Sequence, residues 1–492
     1  MKRHKLFILG IIVLGLQAGC LGTGLNPQSI QNTPVLNPVV SGGGSTPVVI
    51  PTASFQWIGA LTSSTVTSGW SSSSGASVIA SVDGGFQNVN GFAVDSVNGF
   101  FYVVDYYNHQ ISKFASVTGA FVGAIGKTNS STGTCPASGA TSGWCTGGHF
   151  TFGTGDGEFQ NPTDIALDIA NDVFYVSDFL NYRVSKYVLS TGAYMGSIGE
   201  VASKPGAGTC PSSGVATSWC TGGIFAQNAG DGSFNLVSSL GVDTVGGSLF
   251  IADQAARKLI QVTASTGAFV GSVGKVSSST GNCSVGVATS WCTGGTFTAT
   301  GAASIDGSYS TPAALSVDST NGFIYVLDPG SHKANKILIS TGAFVGAIGY
   351  VGSSTGGPGA CVAGGGATGW CTGGTFASAP IPGAGDGHFY DAYYGISADA
   401  DSGFLYIGDQ GANRIMKFDL LTGAFIGAKG KLIASNGTCP TSGFAPDWCT
   451  GGTFSSGTGR GQYKAPGSVY AAADGYLYVN DTSNYRIVRV AK

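Results

Sequence analysis

Charge is what this chain has least of. Its 492 residues hold 22 Lys and Arg against 25 Asp and Glu, a net charge of −3. Glutamate occurs only at Glu158 and Glu200. A nucleic-acid partner needs clustered Lys and Arg to neutralise phosphates, and no such cluster exists, so that partner class is excluded. Histidine is scarce too. Beyond His4 there are His109, His149, His332 and His388, none in phase with another feature or at metal-ligand spacing from another histidine. No metal and no cofactor are expected. The one long apolar run, residues 6–16, has 11 residues and is too short to span a bilayer as a helix. Gly, Ser, Thr and Asn dominate what remains, which suits an exported, surface-facing protein.

Against this background one pattern recurs six times. A short β-type run ends in aspartate at Asp105, Asp178, Asp253, Asp328, Asp409 and Asp481. Five segments of equal length, starting at Phe92, Ile165, Leu240, Leu315 and Ile396, align around it without a gap. Each holds four β-branched and aromatic runs, separated by turn residues such as Asn98-Gly99, Thr191-Gly192 and Gly246-Gly247. Such runs read as strands and such turns as hairpins, so each unit is a four-stranded antiparallel meander, strands a to d. The sixth unit, residues 469–492, supplies a, b and c only. Its missing strand d is expected at residues 54–59, which match the AFVGAIG strand in type and in the closing Ile-Gly. Closing a ring this way removes exposed sheet edges. The expected fold is all-β, a six-bladed β-propeller.

The details of the repeat resemble a known family. Asp-x-x-Asn-x-Arg-[Ile/Val] after the second strand, with Gly-Asp-Gly-x-Phe before the next unit, resembles the NHL repeat. Asp178, Asn181, Arg183 and Val184 match it fully, as do Asp481, Asn484, Arg486 and Ile487. Asp105 with Asn108 and Asp409 with Arg414 match in part; Ala256 and Ser331 depart at the Asn position. The resemblance covers residues 54–492 and implies a β-propeller. The wider family includes lyases, protein-binding sensors and RNA-binding modules; the charge content excludes the last.

The N-terminus reads as a secretory signal over residues 1–19, with Lys2, Arg3, His4 and Lys5 before the apolar run. Gln17-Ala18-Gly19-Cys20 resembles a bacterial lipobox, with Gln17 where Leu is usual. Lipidation of Cys20 is expected, ordinary signal cleavage being the alternative. Leu21, with no Asp after the cysteine, favours the outer membrane by resemblance to enteric sorting rules. Residues 20–53 form an uncharged linker rich in Pro, Gly, Ser, Asn and Thr, unable to bury enough surface to order itself. Residues 54–492 form the propeller.

A blade needs about 40–45 residues, yet the aspartates recur every 72 to 81. The excess lies between strand d of one blade and strand a of the next. Five of these insertions carry a cysteine pair, Cys135/Cys145, Cys210/Cys220, Cys283/Cys292, Cys361/Cys371 and Cys439/Cys449; the first keeps only Trp70-Ser71. Pairing in phase with the repeat in an exported chain reads as five local disulfides. Zinc is the rival, but each pair offers two ligands where structural zinc takes four. Because strand directions alternate, the insertions and the Asp turns are expected on one face as a loop crown, opposite the face that the linker joins.

The six aspartates repeat too faithfully for one catalytic site. They read as a turn network with Arg183, Arg414 and Arg486, the alternative being a carboxylate ring for a cation. Asp156, Asp231 and Asp386 in Gly-Asp-Gly read as turns rather than calcium loops, which need six to eight oxygens. Trp144, Trp219, Trp291, Trp370 and Trp448 each precede a half-cystine. They either pack against the blade rim or form a ring of partner-binding anchors. The expectation is a monomeric, lipid-anchored binding or adhesion module for a protein or surface glycan. The alternatives are a propeller lyase or hydrolase with its site at the channel mouth, or a structural subunit of an envelope assembly.

Overall fold

The computed structural model describes residues 55–62, 65–72, 77–298, 306–356, 359–377 and 385–492, with residues 60–62 described by backbone alone. The signal, Cys20 and the linker lie outside the described residues. Six antiparallel sheets make up the described chain, with helix limited to four three-residue 3₁₀ turns. Each sheet is one blade. In blade 2, strands a to d are Pro162–Asp168, Val173–Asp178, Arg183–Val188 and Tyr194–Ser203. Blades 1, 3, 4 and 5 start with strand a at Val89–Asp95, Val237–Asp243, Ala314–Asp318 and Gly395–Asp399. Blade 6 takes strands a to c from Pro466–Ala471, Tyr476–Asp481 and Arg486–Ala491, and strand d from Gln56–Thr62. Gln56 faces Arg489 and Gly59 faces Arg486, the register of Gly196 on Lys186 and Gly199 on Arg183 in blade 2.

The strands form without strict polar–apolar alternation because each blade is covered on both faces by its neighbours. Phe174, Tyr175 and Val176 in strand b of blade 2 are all buried. Phe174 and Tyr187 pack with Val104, Ile111 and Ile125 of blade 1. Burying such a side chain stabilises by roughly 1.5–3 kcal/mol. Strands a stand around the axis, where small side chains such as Ser239, Ser316, Ser397 and Ser468 line a channel cavity of about 200 Å³. Their hydroxyls link neighbours: the Ala398 N–H donates to Ser316 Oγ and the Ala471 N–H to Ser397 Oγ, both at 3.0 Å. Ser468 Oγ donates to Asn90 O and Asn480 Nδ2 to Val89 O, joining blade 6 to blade 1.

The insertions depart from the expected crown. Each begins on the face of the Asp turns, where Glu200 and Val201 of an overlong strand d are flanked by Gly214–Val215 on one side and Ile224–Ala226 on the other. It then runs back along the outer edge of strand d, where Cys220 bridges Ser197. The Trp219 N–H reaches Thr266 O at 3.0 Å, in the c–d turn of blade 3 on the opposite face. Trp70, Trp144, Trp291 and Trp370 donate likewise to Thr118, Thr191, Thr341 and Thr422. The physical reason is the edge: strand d would otherwise present unpaired N–H and C=O groups along the rim.

All five cysteine pairs form the expected disulfides, Cys135–Cys145, Cys210–Cys220, Cys283–Cys292, Cys361–Cys371 and Cys439–Cys449, bonded at sequence separations of 9 or 10. Their place is corrected along with the crown. Cys145, Cys292, Cys371 and Cys449 bridge Ala124, Ser272, Ala347 and Ala428 of strand d, as Cys220 bridges Ser197, so the second half-cystine of each pair sits at the blade rim. The backbone N–H groups of these four cysteines donate to the carbonyls they bridge, at 3.1–3.3 Å. The sulfurs of Cys145, Cys292, Cys371 and Cys449 also lie 3.4–3.6 Å from those same carbonyl oxygens. An oxidised sulfur carries no proton to donate, so these are packing contacts rather than thiol hydrogen bonds. The aspartates of the Gly-Asp-Gly and related turns tie consecutive insertions together. Gly147, Gly222, Gly294, Gly373 and Gly451 donate N–H groups to Asp83, Asp156, Asp231, Asp306 and Asp386.

Candidate functional site at the channel mouth

Asp105, Asp178, Asp253, Asp328, Asp409 and Asp481 are fully buried and serve as turn centres. Asp178 accepts from the Gln160 N–H at 2.7 Å, Asn181 Nδ2 at 2.8 Å and Arg183 Nε at 2.9 Å. Arg183 donates onward to Gly155 O and Glu158 O, pinning the Gly-Asp-Gly turn. Arg414 and Arg486 pair with Asp409 and Asp481 in the same way, at 3.3 and 2.7 Å. Lys258 takes the position of the arginine in blade 3 and donates to Ala229 O and Gly230 O. Burial pushes the carboxyls of Asp105, Asp178, Asp253, Asp328 and Asp481 up, and the converging donors oppose it. With their oxygens committed to these donors, the aspartates form a structural network.

The tryptophans are struts between blades. Trp144 stacks on Phe174 of the next blade at 5.8 Å and Trp291 on Phe250 of its own blade at 5.5 Å. Indole N–H groups of Trp144, Trp219, Trp291 and Trp370 donate to Leu189 O, Ala264 O, Ile339 O and Leu420 O at 2.9–3.2 Å. Lys113, Lys186 and Lys336 lie over these rings at 5.3–5.5 Å. Of the two readings of these residues, packing is the one built into the fold. The ring of anchors expected on the crown is corrected: the folded-back insertions carry the indoles to the far half of each blade.

The face of the Asp turns instead gathers aromatics at the channel mouth, and sequence reasoning missed them. Tyr106 and Tyr107 follow Asp105 of blade 1, and Tyr393 and Tyr394 precede strand a of blade 5. Blade 5 has one residue more here than its neighbours, seven steps from Phe389 to Ile396 against six from Tyr309 to Leu315 and from Tyr463 to Val469. Tyr106 meets Tyr107 edge-on at 5.0 Å and Phe179 of blade 2 at 6.4 Å. Tyr393 packs on Tyr394 at 4.5 Å. Gln254 of blade 3 donates to Tyr393 Oη, so the extra length reaches past blade 4. Tyr394 lines the channel cavity and Tyr107 is 54% exposed. Burial, then the neighbouring Tyr393 and Tyr106, hold the Tyr394 phenol well above its usual range. His332 and Asp391 complete the rim; burial lowers the imidazole, and burial and then Asp409 raise the carboxyl. Phenols, an imidazole and a carboxylate around one opening can stack on flat ligand faces and exchange hydrogen bonds with them.

Below the mouth, Asp164 is the one charged residue lining the channel cavity. Gly91, Ser239, Ala314, Gly395 and Ser468 hold the equivalent strand-a position elsewhere. Asp164 accepts from Ser239 Oγ at 2.5 Å and from the Leu240 and Ile165 N–H groups at 2.9 Å. Burial pushes its carboxyl up to about 6. The signal for the mouth and for Asp164 was present as departures from the repeat. No group of three or more His, Cys, Asp or Glu among the described residues is placed to hold a metal ion.

Residues 86–114 match the NHL repeat family. Among solved structures, the chain is similar to a structural genomics protein of unknown function from Bacteroides thetaiotaomicron VPI-5482, at 13% identity and TM-score 0.44, covering 89% of this chain and 76% of that one. It is similar to Kuenenia stuttgartiensis hydrazine synthase at 11% identity and TM-score 0.42, covering 84% and 97%. It is similar to an auxiliary nutrient binding protein from Bacteroides thetaiotaomicron VPI-5482 at 10% identity and TM-score 0.42, covering 82% and 69%. At these values the likenesses carry no argument about function. No curated protein matches the chain.

Proposed function

Starting from a six-bladed β-propeller with an NHL repeat, we propose an exported, lipid-anchored binding module that holds a protein or glycan partner at the channel mouth and the exposed loops around it. The observation that carries this reading is the tyrosine cluster, drawn from two non-adjacent blades, one of them a residue longer than the repeat. Aromatic side chains with a polar tip suit recognition, because they bury large area at small entropic cost and stack on sugar rings or apolar side chains. The loops between the two cysteines of each insertion hold exposed residues such as Ser138, Ser212 and Ser213. The reading includes attachment through Cys20 to the outer membrane, a 33-residue tether after it, and a monomeric state.

The test is capture from envelope extract and from a glycan panel, with the intact protein and with Tyr107→Ala and Tyr393→Ala. Loss of about 30-fold in affinity is expected for a central aromatic contact, the equivalent of roughly 2 kcal/mol. A partner held equally by both variants would place recognition elsewhere. Incorporation of labelled palmitate, abolished by Cys20→Ala, tests the anchor.

A further inference from the structure

Five of the six junctions between blades are built alike. In each, the c–d turn of the following blade covers a tryptophan and accepts its N–H groups, as Ala264 O and Thr266 O do for Trp219. Beneath it, strand d buries an aliphatic side chain: Ile58, Ile125, Ile198, Val273 or Ile348. In five Gly-Asp-Gly or related turns, an aspartate from Asp83 to Asp386 bonds a glycine N–H of the next insertion.

The junction of blades 5 and 6 differs in all three respects. Strands c and d of blade 6 come from distant parts of the sequence, Arg486–Ala491 and Gln56–Thr62, so no c–d turn joins them over Trp448. Trp448 Nε1 is buried and has no hydrogen-bond partner. The aliphatic position holds Lys429, and the aspartate position holds Arg460. These changes leave a cavity of about 290 Å³ lined by Lys429, Arg460, Phe55, Phe444, Tyr463 and Val490. Phe444 stands where the other insertions have Ala140, Val215, Val287 and Gly366. It is 46% exposed. Lys429 Nζ sits 4.7 Å from the Trp448 ring. Asp447 acts on Lys429 from a distance. No carboxylate among the described residues forms an ion pair with Lys429 or Arg460.

We propose that this seam cavity is a second binding site, for an amphipathic carboxylate. Its apolar chain packs on Phe55, Phe444, Tyr463 and Val490, and its carboxylate takes hydrogen bonds from Lys429 and Arg460. Two facts select this chemistry. Two cations outside any ion pair converge on one cavity in a chain where charge is scarce, and both replace residues that the other junctions keep aliphatic or acidic. The volume lies at the small end of ligand pockets, about 300 Å³ and upward, and the lining beside the two cations is mostly apolar, which fits one small amphipathic molecule. The site is independent of the channel mouth.

The experiment titrates decanoate and decanol into the intact protein, by calorimetry and by the ¹⁵N–¹H indole resonances, with Trp448 assigned through Trp448→Phe. One saturable decanoate site is expected, with decanol at least tenfold weaker and the Trp448 indole resonance shifting as the carboxylate draws on Lys429 beside its ring. Lys429→Ile and Arg460→Asp restore the residues of the regular junctions, and each is expected to weaken decanoate about tenfold, the equivalent of one charge-assisted hydrogen bond. Should Trp448→Phe fail to fold, these two variants carry the test. Absence of saturable binding up to about 1 mM, well short of micromolar recognition, would overturn the proposal; a cavity already filled by the protein's own chain gives this result. Equal affinity for decanol, or affinity unchanged in both charge variants, would overturn it too.

Discussion

Replacing Asp164 by Asn removes the one charged side chain from the channel cavity. Burial raises its carboxyl from 3.8 to about 6, so the folded state holds the proton more tightly than the unfolded state does. The contribution to stability is therefore fully present below pH 3.8 and is lost as the pH rises through about 6. At 1.36 kcal/mol per pH unit, the loss amounts to about 3 kcal/mol. The amide keeps an acceptor at the oxygen that receives Ser239 Oγ and the Leu240 N–H, but turns an NH₂ toward the Ile165 N–H. That mismatch costs about 1 kcal/mol at every pH. Asp164→Asn is thus expected to be about 2 kcal/mol more stable than the parent at about pH 8 and about 1 kcal/mol less stable at about pH 3.5. Urea unfolding of both proteins at half-unit steps would show the difference changing sign between. The buried turn aspartates are common to both proteins and cancel. A difference that stays constant across the range would refute the reasoning.

Further outcomes concern the struts and the loops. Trp219→Phe removes the bond to Ala264 O and is expected to cost about 1 kcal/mol, whereas Trp448→Phe, whose N–H has no partner, should cost much less in ligand-free protein; equal losses in urea unfolding would contradict the junction geometry. Arg183→Met leaves Asp178 buried without its counter-charge and should cost roughly 3–5 kcal/mol, read as a large drop in melting temperature. Replacing Cys210 and Cys220 by Ser should remove roughly 2–3 kcal/mol from the loop they close, with hydrogen exchange quickening in residues 204–226 and unchanged in strands a to c. Exchange that quickens throughout blade 2 would show the disulfide to be a global rather than a local tie.

The propeller was legible because it is repetitive. A turn aspartate that must accept two or three local donors recurs at the same place in every blade, and the pairing of Gln56 with Arg489 follows from the matching Ile-Gly of strand d. The disulfides were legible for the same reason, since each closes a short loop within one insertion. The path of the insertions was not. The expectation of a crown followed from strand direction alone. It left out the unpaired outer edge of strand d, which draws Cys145, Cys220, Cys292, Cys371 and Cys449 back beside that strand and Trp219 onto the next blade.

The sequence by itself determined the blades, their number, the ring closure and the cysteine pairing, because each rests on local patterns or on short loops. Only the tertiary structure decided which residues meet across the axis and across the seam. Tyr106 and Tyr394 are far apart in the chain and share one channel mouth because a closed ring points all its turns at one axis. Lys429 and Arg460 line one cavity, with Lys429 beside the unpaired Trp448, because a ring closed by two distant segments has one junction without a c–d turn.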